Sequence, residues 1–204
     1  LRLLKVVMTT ASVDLDRKRR PMHLVLASRR NLVVFAHWLH ARGDRDMPTR
    51  QEVDPNAIKA ELPYVYIAQV MRDEDGTWFK FRLMGNSIVQ NFKVEGSERI
   101  LLDLQIGGWE EEWRKNLLCA VKMCMAVVDE ATIHSQSGVD LNIEHLALPL
   151  SDDGVTVNRV LGAIDFLNKS EHDLAVVLPQ LSWSKINQIE LEKRIIISNL
   201  RIQL

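Results

Sequence analysis

Directly after Ser28, apolar residues recur at three- and four-residue spacing through Leu32, Phe35, Ala36 and Leu39. Ser is a residue type that caps helices, so the pattern predicts a helix from Ser28 to about Leu39 with one apolar stripe that must pack on something. Asp54-Pro55 repeats the logic, a capping carboxylate followed by proline where its missing N–H is harmless, and predicts a short helix to about Leu62 that Pro63 ends. The period then changes to two. Tyr64–Met71 is rich in β-formers, Asp73-Glu-Asp-Gly76 is a turn signal, and Trp78–Met84 sets Phe79, Phe81 and Leu83 against Trp78, Lys80 and Arg82. Together they predict an antiparallel hairpin. Asn86, after Gly85, is placed to cap a helical turn over Ser87–Phe92 whose Ile88, Val89 and Phe92 face inward, with Gly96 closing the unit.

Leu101–Ile106 reads as an apolar connector into the strongest helix of the chain, Trp109–Val127. Trp109, Trp113, Leu117, Ala120, Val121 and Cys124 share one face there, and Glu110/Arg114 and Glu111/Lys115 pair at four-residue spacing on another. Met125–His134 and Val139–Ser151 read as strands around Ser135-Gln-Ser-Gly138, and Asp152-Asp-Gly154 turns into a last strand around Arg159–Leu167. Five antiparallel strands with helices between the second and third predict an α+β fold, one sheet with helices on one face. Residues 1–27 read as an N-terminal arm, 28–168 as the domain, and 169–204 as a C-terminal tail. The tail's Trp183, Ile186, Ile189, Ile196 and Leu200 suit a helix while Ile195–Ile197 suits a strand, and both stay open.

Composition narrows the function classes. The 204 residues carry 26 Lys+Arg against 27 Asp+Glu, a net charge of −1, and are 47% hydrophobic, which describes one globular domain with appendages. Without an overall basic field, neither nucleic acid nor an anionic membrane is an expected partner, and Arg17–Arg20 reads as a solvated segment balanced by Asp14 and Asp16. No apolar run approaches the ~18 residues of a membrane-spanning helix. Leu1–Met8 mixes charge into a short apolar stretch and reads poorly as a signal peptide. Cys119 and Cys124 stand five apart, on different sides of a helix, so reduced thiols and a cytoplasmic location are expected.

Several segments, in order, carry a family resemblance: Trp38-Leu-His-Ala-Arg-Gly-Asp-Arg45, Met47-Pro-Thr-Arg50, Val53-Asp-Pro55, Phe79-Lys-Phe-Arg-Leu-Met-Gly-Asn86 and Glu144-His-Leu-Ala-Leu-Pro-Leu-Ser-Asp-Asp-Gly154. From about Phe35 to Phe166 the chain resembles a bacterial family of stand-alone PAS-like domains. The resemblance implies a five-stranded antiparallel sheet with short helices on one face, signal sensing, small-ligand or cofactor binding inside the core, and dimerisation through flanking helices. Where that family commonly has Gly-Thr after the second strand, this chain has Gly85-Asn86. The residues left over are too few for an output domain, so a signal would pass to a separate output protein.

A haem-binding domain of this kind needs an axial histidine, for which His37, His40 and His145 are the candidates, but no further ligands stand at metal spacing. A flavin-photoadduct domain needs a cysteine near Asn86–Phe92, and none is there. Neither a nucleophile elbow nor a phosphate loop occurs, and Asp103, Glu144, His145 and Asp165 could supply an acid/base set only if they converged; strand carboxylates facing water are the commoner arrangement. What remains is an apolar pocket lined by Phe81, Leu83, Ile88, Phe92, Trp113 and Leu117, with Asn86 and His145 as inward polar groups beside the weaker candidates Arg82 and Asn91. Three functions follow, with the cofactor unidentified: a non-catalytic sensory module that binds an unidentified small molecule and forms a homodimer, a protein–protein interaction domain with a filled core, or a small cone-fold isomerase- or dehydratase-like enzyme.

Overall fold

The computed structural model describes residues 25–94, 97–134, 140–167 and 176–177. Strand β1, Val25–Leu26, leads into helix α1, Arg29–Arg42. Ser28 caps α1 by accepting from the Asn31 amide, and Gly43, in the positive-φ region, closes it. The connector to the sheet is three short 3₁₀ turns, Arg50–Glu52, Pro55–Ile58 and Leu62–Tyr64. The predicted helix to Leu62 is thus replaced by two separate turns: Asp54 does cap through the Asn56 amide, but Pro63 lies inside the next turn instead of ending the first.

Strands β2, Val65–Asp73, and β3, Gly76–Met84, form the hairpin, followed by helix α2, Asn86–Phe92. A 3₁₀ turn at Leu101–Asp103 and helix α3, Glu110–Met123, precede β4, Val127–His134, β5, Asp140–Ser151, and β6, Val157–Phe166. The five long strands are antiparallel neighbours in the order β3-β2-β6-β5-β4, so the expected α+β architecture holds. A second, two-stranded sheet pairs β1 with β7, Val176–Val177, and ties the start of α1 to the beginning of the tail. The remaining tail, the basic run Arg17–Arg20, Gly96 and Ser135–Gly138 lie outside the described residues.

Alternation along the strands builds two cores. Val65 and Ile67, Leu146, Leu148 and Leu150, and Leu161 and Ala163 face α1, where Leu32, Phe35, Trp38 and Leu39 cover them. That is what the α1 stripe packs on: the sheet face opposite the one covered by α2 and α3. Trp38 fixes the contact by donating from Nε1 to the Pro149 carbonyl at 2.9 Å. Pro149 fits in β5 because β4 pairs no further than Ala147, so its missing N–H leaves no ladder bond unmade. The other face carries Tyr66, Ala68, Val70, Phe79, Phe81, Met84, Ala147, Val160 and Ile164 beneath α2 and α3.

Three further local expectations are corrected. Leu83 does not share a face with Phe79 and Phe81: the ladder runs Ala68↔Phe81 then Ile67↔Leu83, so Arg82 is an unopposed bulge residue that reverses the parity. Leu83 is exposed and Met84 takes the inward place. Asn86 does not cap α2, because Gly85 occupies that position; a Cβ at Gly85 would come 2.2 Å from the Pro63 carbonyl oxygen, so only glycine allows this approach. On α3, which begins after Trp109 and ends at Met123, the ion pairs are Glu111–Arg114 and Glu112–Lys115 at three-residue spacing, while Glu110 accepts from the Ile106 amide.

Candidate functional site

A buried chain of hydrogen-bonded aromatic side chains lies under α3. Tyr66 on β2, Trp113 on α3 and His145 on β5 are fully buried, with Trp109 at the start of α3 against them. The Trp113 Nε1–H can only donate, so Tyr66 Oη accepts from it at 3.0 Å. Tyr66 keeps one proton to give, and His145 Nε2 lies 2.7 Å away. Accepting at Nε2 puts the imidazole proton on Nδ1. The opposite tautomer would strand the Tyr66 proton as well as Nδ1, two unmet groups instead of one, so the Nδ1–H form is favoured. Burial pushes the His145 pKa down to about 3 and the Tyr66 phenol up, so both are neutral at pH 7.

Rings surround this chain of hydrogen bonds. Trp109 stands perpendicular to His145 at 5.3 Å between centroids, Trp113 at 5.8 Å, and Tyr66 stacks on it at 5.9 Å. Phe81 and Phe92 add to the Trp113 side, and Phe92 reaches the half-buried Phe166. Two buried donors in this group have no protein partner among the described residues: His145 Nδ1 and Trp109 Nε1. Buried polar atoms are nearly always satisfied, so two unmet donors on touching rings are a departure to be explained.

Acid isolates the histidine. As pH falls below about 6.5 the unfolded chain protonates at His145 while the folded chain resists until about 3, so the folded state loses about 1.4 kcal/mol per pH unit across that window. The His145→Gln variant, whose amide oxygen can still accept from Tyr66, should lose that component. The check is chemical denaturation at pH 7 and pH 5: the parent-minus-variant stability should shrink by about 2 kcal/mol at the lower pH, and an unchanged difference would mean His145 titrates normally.

On the opposite face, the side chains next along the strands hold α1. Glu144 and Asp165 are direct cross-strand partners, and both are buried. Glu144 accepts from the amides of Ala27 and Ser28 and from Asn31 Nδ2, while Asp165 accepts from Ser28 Oγ and Arg30, each at 2.7 Å. Burial pushes the Glu144 carboxyl up, against the three donors that pull it down. The expectation that strand carboxylates face water is therefore wrong here; the start of α1 supplies the partners. Charge at this helix end was invisible from the α1 sequence, which has no acid in its first turn.

The sequence-derived site divides accordingly. Phe81, Ile88, Phe92, Trp113, Leu117 and His145 lie together in the core under α2 and α3, whereas Leu83 and Asn86 are on the surface. Arg82 is exposed, pairing with Glu98, and Asn91 is exposed, donating to the Ser87 carbonyl. Tyr66 and Trp109 were missed as polar groups; an aromatic that is also a donor, opposite an inward histidine, was the available signal. The acid/base set does not converge: Glu144 and Asp165 lie on one sheet face, His145 on the other, and Asp103 is exposed. Of the other histidines, His37 accepts from the Asp54 amide at 3.0 Å and His40 is exposed. Among the described residues neither cysteine is in a disulfide; both are half-buried, and burial pushes the Cys119 thiol up. Among the described residues no cluster of His, Cys, Asp and Glu could hold a metal ion, and no helix is long and apolar enough to cross a membrane.

A family model described as a PAS domain matches residues 26–165. No curated protein matches the chain. Among solved structures it is similar to the PAS domain of a protein from Colwellia psychrerythraea, at 15% identity over 56% of this chain and 96% of that one, TM-score 0.39. It is also similar to the PAS domain from Bordetella pertussis BvgS, at 14% identity over 53% and 79%, TM-score 0.34, and to the LOV domain of the blue-light photoreceptor Aureochrome1 in its light state, at 7% identity over 56% and 89%, TM-score 0.38. The family match spans well over half of the chain and takes in α1, the whole hairpin, α2, α3 and nearly all of the five-stranded sheet, so this chain belongs to the PAS domain family, a family of sensory modules.

Proposed function

We propose that this chain is a non-catalytic sensory module whose core under α3 meets a small ligand at His145 and whose response leaves through α1 to a separate protein chain. The observation that carries the reading is the pair of unmet donors, His145 Nδ1 and Trp109 Nε1, inside a ring of aromatic walls. Two N–H groups that nothing among the described residues satisfies cost about 1–3 kcal/mol each, and a ligand acceptor offsets that cost on binding. The route outward follows from strand geometry. His145 and Glu144 are consecutive, so a shift of β5 that moves the imidazole on one face moves the carboxylate that holds the Ala27 and Ser28 amides on the other.

A second reading has its own support. The aromatic rings touch one another at centroid distances from 5.0 to 6.2 Å, which suits an interaction domain with a core filled by its own side chains. Native mass spectrometry of the full chain separates the two and reports whether it is a homodimer. The sensory reading expects a small-molecule adduct that His145→Phe abolishes. A bare mass from the parent, with His145→Phe at least as stable, would favour the filled core.

A further inference from the structure

Resting on the reading that His145 meets a ligand, we infer that the ligand is a neutral molecule that presents a carbonyl-type oxygen to His145 and Trp109 and lays a flat apolar body against the aromatic walls. Trp109 Nε1 donates and never accepts, and hydrogen bonding by Trp113 and Tyr66 leaves the proton of His145 on Nδ1. The site therefore offers two donors on rings 5.3 Å apart and asks for an acceptor. The rings in contact with the imidazole, Tyr66, Trp109 and Trp113, are all uncharged, and burial keeps the imidazole neutral as well. An anion would enter this low-dielectric space without a counter-charge, and a cation would face two N–H groups. An uncharged oxygen meets both donors at no such cost. Phe92, Trp109 and Trp113 supply flat walls, and the half-buried Val89, Val94 and Phe166 form the side of the cluster nearer solvent.

The test uses three probes of one size on the full chain: acetophenone, benzoate and ethylbenzene, a neutral ketone, an anion and a hydrocarbon. Binding is followed by the ¹⁵N resonances of His145 Nδ1 and Trp109 Nε1. Acetophenone should bind saturably and move both resonances, with ethylbenzene weaker by about tenfold, the worth of one to two hydrogen bonds, and benzoate weaker by at least about tenfold because its charge is desolvated without a counter-charge. Trp109→Phe keeps an aromatic wall, though a smaller one, and removes the donor, so it should weaken acetophenone by about fivefold more than it weakens ethylbenzene. If benzoate binds as well as acetophenone and moves the same resonances, the inference about ligand class is overturned while a ligand at His145 stands. If no probe moves either resonance and both protons show exchange with a long-lived water, the donors are met by solvent and the underlying reading fails with it.

Discussion

Replacing Glu144 with alanine is expected to lower folding stability by about 3 kcal/mol and to release the start of α1. The Ala27 and Ser28 amides and Asn31 Nδ2 each donate to this one carboxylate, which is fully buried together with Ser28 and Asn31. Removing it leaves the Ser28 amide buried and unmet, the Ala27 amide unmet and part-buried, and Asn31 Nδ2 with the Glu144 main-chain carbonyl alone, at about 1–3 kcal/mol for each fully buried donor, partly offset because Asp165 loses a like-charged neighbour directly across the ladder. Amide exchange should localise the effect: the first turn of α1 and Ala27 become fast, while β2 and β6 stay protected. Asp165→Asn, which still accepts from Ser28 Oγ, should cost less than half as much. A Glu144→Ala protein within about 0.5 kcal/mol of the parent would show that α1 is held by its apolar stripe alone, and would remove the proposed route from His145 to the helix.

The parts of this architecture that could be read from residue patterns are those set by local chemistry. Ser28, the Asp73–Gly76 turn, the alternation of Phe79 and Phe81 and the long amphipathic helix each owe their conformation to neighbours within a few positions, and they stand in the structure close to where the pattern puts them. Leu83 differs because a single bulge at Arg82 reverses the strand parity after it, and nothing in the composition of Phe79–Met84 marks the extra residue; Asn86 differs because the close approach to Pro63 puts Gly85 in the cap position. The burial of Glu144 and Asp165 was hidden more deeply. A carboxylate on a strand looks solvated until the element that satisfies it is known, and here the donors lie more than a hundred residues away in sequence. His145 was recognised as a candidate inward group, but its orientation toward Tyr66 depends on β5 and β2 both flanking β6.

That arrangement turns on a residue with no side chain. Gly162 on β6 pairs with Tyr66 on one side and Ala147 on the other, and the Tyr66 ring lies across it: a Cβ there would stand 1.9 Å from Cζ and 2.3 Å from the hydroxyl oxygen. Gly162→Ala must therefore drive the ring aside, breaking its bonds to His145 and Trp113 together. Overpacking alone costs about 1–3 kcal/mol, and unmeeting three buried polar groups brings the expected loss to about 4 kcal/mol. A double-mutant cycle tells this mechanism from a general strand defect. Tyr66→Ala removes the obstacle, so adding Gly162→Ala in that background should cost less than about 1 kcal/mol, a coupling of about 3 kcal/mol between the two positions. Near-ultraviolet dichroism should report the same event, Gly162→Ala losing the tyrosine and tryptophan signal that the caged rings give. Equal costs in both backgrounds would mean that the glycine serves the backbone of β6, and that the Tyr66–His145–Trp113 chain does not depend on the space it leaves.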